Sequence, residues 1–146
     1  MKVSTKTRYA LRLMLQLALD YGKNVSMLGD IAKREGLSEK YLSLIVIPLR
    51  ANKLINSVRG AKGGYFLTKP PSEITVKDIF ESTDGAICTV DCNKSGKKCE
   101  KVGNCITKEV WIKLDETIKN TMENISLQDL VDLYNKKNKT QINYEI

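Results

Sequence analysis

Between Leu54 and Leu67 two short alternating runs enclose a tip of glycine and cation, and this hairpin follows directly on three helical patterns. Leu54, Ile55, Asn56, Ser57 and Val58 alternate as a strand does, and Tyr65, Phe66 and Leu67 make a second strand. Arg59, Gly60, Ala61, Lys62, Gly63 and Gly64 form the turn between them. The first helix is expected over Thr5 to Tyr21, with Tyr9, Leu13 and Leu17 on one row and Leu11, Leu15 and Leu19 on the next. A second, with Ser26 as N-cap and Leu28, Ile31 and Ala32 inward, ends at Gly36. A third starts behind Ser38 with Leu42, Ile45, Val46 and Leu49 inward, and Pro48 is expected to bend or shorten it.

Helix, helix, tight turn, helix and hairpin is the order of a winged helix-turn-helix. In such a unit the third helix enters the major groove with its N-terminal residues toward the base edges. Here those residues are Ser38, Glu39, Lys40, Tyr41 and Ser43, whose side chains can donate to base acceptors or accept from cytosine N4. Arg50, further along, is expected to meet phosphate or else to pack. The tip offers Arg59 and Lys62 beside Gly60 and Gly63, which allow close backbone approach to the minor groove. Lys6, Arg8 and Arg12 on the first helix are candidates for backbone contact. A three-helix unit used for protein contact is the competing reading.

Charge favours nucleic acid. Residues 1–62 hold 12 Lys and Arg against 4 Asp and Glu, a balance of +8, whereas residues 63–146 hold 12 against 13, or −1. All the excess of the net +7 therefore lies in the first part of the chain. A basic block beside a neutral remainder suits a phosphate-binding module, because neutralised phosphates release counterions.

Beyond Pro70 and Pro71, Thr75 and Asp78 resemble a capping box for a connecting helix within residues 71–83. Residues 84–106 form a polar loop carrying all four cysteines: Cys88, Cys92, Cys99 and Cys105. A long helix is expected from Thr107 to about Asn124, then a short one, capped by Ser126 and Asp129, from Leu127 to Tyr134. Residues 135–146 read as a polar, frayed tail. The fold class is mainly α with a small β-hairpin wing: a winged helix-turn-helix (1–70) plus a long dimerisation helix followed by a C-terminal helix (together 107–134).

Four cysteines in one polar loop are unlike cysteines buried singly as small hydrophobes. In a reducing compartment such a cluster points to metal or redox chemistry. Thiolates hold iron–sulfur clusters on loop spacings of this kind. Zinc, which prefers close cysteine pairs, comes second, since only Cys88 and Cys92 are so spaced, and a thiol–disulfide switch third. Lys94, Lys97, Lys98 and Lys101 surround the loop, either offsetting thiolate charge or keeping it soluble. The chain has no histidine, which removes imidazole ligands and histidine-dependent catalysis. No Gly-rich phosphate loop and no nucleophile–base pattern is present, so an enzyme is not expected. No run of about eighteen apolar residues exists, and the start resembles no signal peptide; a cytoplasmic protein without membrane attachment is expected.

The chain resembles the IscR-type iron–sulfur regulators, within a wider bacterial family of winged-helix repressors that includes IscR, NsrR and CymR. The resembling residues run from Lys6 to Ala10, from Leu37 to Leu42 and, most strongly, from Ser57 to Tyr65. Cys92, Cys99 and Cys105 stand where that family has three cluster cysteines, and residues 104–106 with Trp111 fit the start of the following helix. The resemblance implies a homodimeric transcription repressor in which Trp111, Leu114, Ile118 and Met122 are buried against the partner's copy. Its operator would be palindromic double-stranded DNA. It also implies an iron–sulfur cluster, 2Fe–2S ahead of 4Fe–4S, that reports iron–sulfur, redox or nitric oxide status and can be lost in a purified apo form. Lys108 stands where relatives have a histidine ligand, and Arg8 near where some supply a carboxylate. Cys88 is then the expected fourth ligand, with Asp84, Asp91 or a small thiol as substitutes. Ser43 replaces a glutamate, which points to a different operator. The alternatives are a clusterless winged-helix repressor answering a metabolite or partner protein, and a zinc-stabilised interaction module.

Overall fold

Ser4 begins the first helix by accepting the Thr7 N–H on its hydroxyl (3.0 Å), one of the donors a helix start leaves without a partner. The computed structural model describes residues 1–94, 99–101 and 103–144. Helix α1 (Thr5–Leu19) buries Ala10, Leu13, Met14 and Leu17 at helical spacing. α2 (Leu28–Glu35) ends at Gly36 in the left-handed conformation (φ 65°), where a side chain is costly. α3 (Glu39–Ala51) is capped by Ser38, which accepts the Tyr41 N–H at 3.2 Å. Its Leu42, Ile45, Val46 and Leu49 close the core against α1 and α2. Each such side chain contributes about 1.5–3 kcal/mol when fully buried. Pro48 does not end α3, which runs three residues beyond it.

The wing is an antiparallel pair, β1 (Ile55–Val58) and β2 (Gly64–Leu67), in register Ile55 to Leu67 and Val58 to Gly64. Ser26 does not cap α2, where Met27 holds that place without a side-chain bond. Instead Ser26 pairs with Tyr65 through two backbone bonds of 2.9 and 2.8 Å, and its hydroxyl donates to Asp20 at 2.7 Å. The segment before α2 is thus bridged to the outer edge of the wing at this one residue pair. Gly64 permits the contact: a Cβ there would lie 2.6 Å from the Ser26 carbonyl oxygen.

After a 3-10 turn at Pro71–Glu73, α4 (Val76–Asp84) opens with the expected Thr75–Asp78 capping box. α5 (Lys108–Glu123) and α6 (Leu127–Tyr144) complete the chain. Among the described residues, six helices and one hairpin make up the fold. α6 packs on α1 through Leu127, Leu130 and Val131. It continues ten residues past the expected end at Tyr134, so residues 135–144 are helical and not a frayed tail. The stretch contains Lys, Asn, Thr and Gln but no Gly or Pro to stop a helix already nucleated on the core.

Candidate DNA interface and cysteine loop

One face of α3 points away from the core. Lys40, Ser43, Leu44, Ile47 and Arg50 are exposed along it, and Arg59, Gly60 and Lys62 are exposed at the wing tip. The remaining candidates are in part committed inside the protein. The Ser38 hydroxyl serves the cap. Glu39 turns its carboxylate over Gly29, where a Cβ would stand 3.3 Å from Oε2, toward the positive end of α2. The Tyr41 ring is half-buried, edge-on to Tyr9 with centroids 5.7 Å apart. Ser43 donates to the Lys40 carbonyl at 2.6 Å. Gly63 is buried: a Cβ there would collide with the Val58 carbonyl oxygen, so this glycine is required by the turn itself.

On α1, Lys6 is half-buried, Arg8 donates to the Thr5 hydroxyl at 3.1 Å, and Arg12 pairs with Glu35 at 3.0 Å. The start of α1 is tied to the end of α4. The Ser4 N–H and hydroxyl donate to the two oxygens of Asp84 at 3.1 and 2.5 Å, and the Thr7 and Thr83 hydroxyls meet at 2.5 Å. Partial burial works to raise the Asp84 carboxyl. Hydrogen bonds from Ser4 and Thr7, with the Lys6 charge, outweigh it and hold the group below the usual carboxylate range.

The cysteine segment leaves α4 at Asp84. All four cysteines are free thiols, with Cys92 and Cys99 exposed and Cys88 and Cys105 half-buried. Cys88 donates to the Val90 carbonyl at 2.9 Å and lines a hollow with Met1, Lys2, Ser4, Asp84 and Lys94. Cys92 lines a different hollow, with Asn93, Lys108, Asp115 and Glu116. Asp91 pairs with Lys94 at 2.8 Å. Cys105 lies beside the Thr107 hydroxyl at 3.3 Å, at the start of α5. That contact, the Lys108 N–H and Lys101 lower its thiol from the ordinary value, which favours the nucleophilic, ligating thiolate. The donor set fits a thiolate-held group in kind. Among the described residues, no three Cys, Asp or Glu side chains stand together at ligating distance. Lys97 and Lys98 lie outside the described residues.

Two features were missed by sequence reasoning. Asp115, the only buried residue of α5, accepts the Thr89 N–H at 2.7 Å and the Asn93 side-chain amide at 3.1 Å. A carboxylate on a polar helix reads as surface; only its distant partners give it away. The second is the apolar pair Leu44 and Ile47, visible in retrospect because α3 is apolar on both faces. The expected interface residues of α5 divide: Trp111 and Leu114 are exposed, Ile118 and Met122 half-buried.

Residues 3–133 match the family model Rrf2, described as an iron-dependent transcriptional regulator. The chain is 37% identical over 130 residues to the HTH-type transcriptional regulator CymR of Bacillus subtilis, covering 89% of both. It is 36% identical over 132 residues to the IscR of Klebsiella pneumoniae, covering 90% of this chain and 80% of that one. The solved structure of B. subtilis CymR, titled the global cysteine regulator, superposes with a TM-score of 0.76 over 91% of this chain and 98% of that one. That of T. potens IscR gives 0.72 at 36% identity, over 90% and 87%.

Proposed function

Because the chain belongs to the Rrf2 family of transcriptional regulators, we propose that it is a dimeric repressor that binds a palindromic operator and senses iron–sulfur, redox or nitric oxide status through its cysteine loop. The observation that carries the sensing half is four free thiols in one segment whose first half is tied both to α1 and to α5. Cys92, Cys99 and Cys105 would hold an iron–sulfur cluster, which supplies a redox- and nitric oxide-sensitive centre. Asp115 pins residues 89–93 to α5, and Asp84 ties the start of the same segment to the cap of α1. A rearrangement of the loop therefore bears on both the apolar face of α5 and the helix that carries the winged unit.

The dimer reading rests on α5. Val110, Trp111 and Leu114 are exposed on it, with Ile106 just before it 86% exposed, and a symmetric partner would cover them. The operator reading rests on the exposed cations of α3 and the wing and on the basic first part of the chain.

A second reading is a clusterless repressor that answers a metabolite or a partner protein. The similarity to CymR and the separate hollows of Cys88 and Cys92 favour it. Anaerobic purification followed by an absorption spectrum with iron and sulfide counts separates the two. The cluster reading expects brown protein whose visible absorption is lost in Cys92→Ala. Colourless protein, with regulation intact after all four cysteines are replaced by serine, establishes the second reading.

A further inference from the structure

The outward face of α3 carries two large aliphatic side chains in water: Leu44 is 55% and Ile47 62% exposed. At about 100° per residue, Lys40, Leu44, Ile47 and Ala51 form a stripe opposite the buried Leu42, Ile45, Val46 and Leu49. The two are therefore not part of the core. Lys40 begins the stripe and Arg50 lies beside it on the helix, and the wing tip adds the exposed cations Arg59 and Lys62. None of these four is in an ion pair among the described residues.

An exposed apolar pair on a helix that also presents cations, beside a cationic wing, suits one ligand above others. Phosphates answer the cations, and the thymine C5-methyl is the apolar group that the DNA major groove presents. Resting on the reading of this face as the operator contact, we infer that Leu44 and Ile47 read thymine methyl groups. Three residues along a helix span about 4.5 Å. Successive bases on one strand lie about 3.4 Å apart. The pair thus reaches neighbouring base steps, and each half-site carries two adjacent positions read by methyl contact, with Lys40 placed to donate to a flanking base and the Ser43 hydroxyl, whose proton goes to the Lys40 carbonyl, able to accept from one.

The test begins with an operator selected from random duplexes by the purified full-length protein. Each thymine is then replaced singly by deoxyuridine, which removes the methyl and leaves every hydrogen-bonding group. Fluorescence anisotropy at fixed salt reads the affinity. Two neighbouring replacements in each half-site are expected to weaken wild-type binding three- to tenfold each. Leu44→Ala is expected to bind the thymine and deoxyuridine forms alike at one of them, and Ile47→Ala at the other. Both residues are exposed, so circular dichroism should show the variants folded. Affinities unchanged by every deoxyuridine overturn the inference while leaving operator binding intact. So does a methyl effect that persists in the Leu44→Ala, Ile47→Ala double variant. Failure to select any operator overturns the DNA reading itself, and the inference with it.

Discussion

Asp115 sets the clearest energetic test at the scale of a single residue. Burial alone raises its carboxyl. The hydrogen bonds from Thr89 and Asn93, with Lys119 nearby, more than offset this and lower it from the ordinary value. A group lowered on folding stabilises the protein above its unfolded value, about 3.9, and loses that contribution as pH falls through the folded value. Asp115→Asn keeps one acceptor but removes the charge that strengthens both bonds, and its new amide donor is met only if Asn93 turns its unpartnered Oδ1 toward it. The cost at neutral pH is expected to be about 1–2 kcal/mol. Urea midpoints for the two proteins should stand furthest apart above about pH 5 and converge below about pH 4. A gap independent of pH would mean that the charge on Asp115 contributes nothing.

At the scale of elements, α5 is the exception: a helix of 16 residues whose only buried side chain is a carboxylate. Leu114→Lys places a cation in the apolar stripe, twice over if the interface is symmetric. Sedimentation should then show monomer at concentrations where the parent is a dimer, with helical content unchanged because Leu114 touches solvent already. Operator affinity should fall with it. A monomeric parent would remove the dimer from the account. Elements were legible in the sequence where burial is periodic. The inward rows of α1 and α3, the Gly36 stop, the Thr75 capping box and the wing all follow from local spacing and turn chemistry. What was not legible depends on partners far along the chain. Ser26, expected as a cap, instead bridges to a residue of β2 39 positions on, and Asp84 serves a helix start 80 residues away. The extent of α6 was missed because a polar composition says how a helix meets water, not whether its first turn is anchored.

For the whole molecule, charge segregation is the property to measure. If the basic first part holds DNA, operator affinity falls linearly with the logarithm of salt, by about 0.9 per phosphate contacted. Arg59→Ala and Lys62→Ala should each shallow that slope by about 1 and weaken binding on all sequences alike. A slope unchanged by both would take the wing tip off the phosphate backbone. The bridge from Ser26 to Tyr65 has a consequence of another sort. A lone hairpin is marginal in water, and freezing one upon association costs conformational entropy. Here two backbone bonds and the close seat of Gly64 hold the hairpin to the loop before α2. That ordering entropy is lost once, during folding, and is not lost again at each encounter with a duplex. The wing is thereby preorganised for its partner.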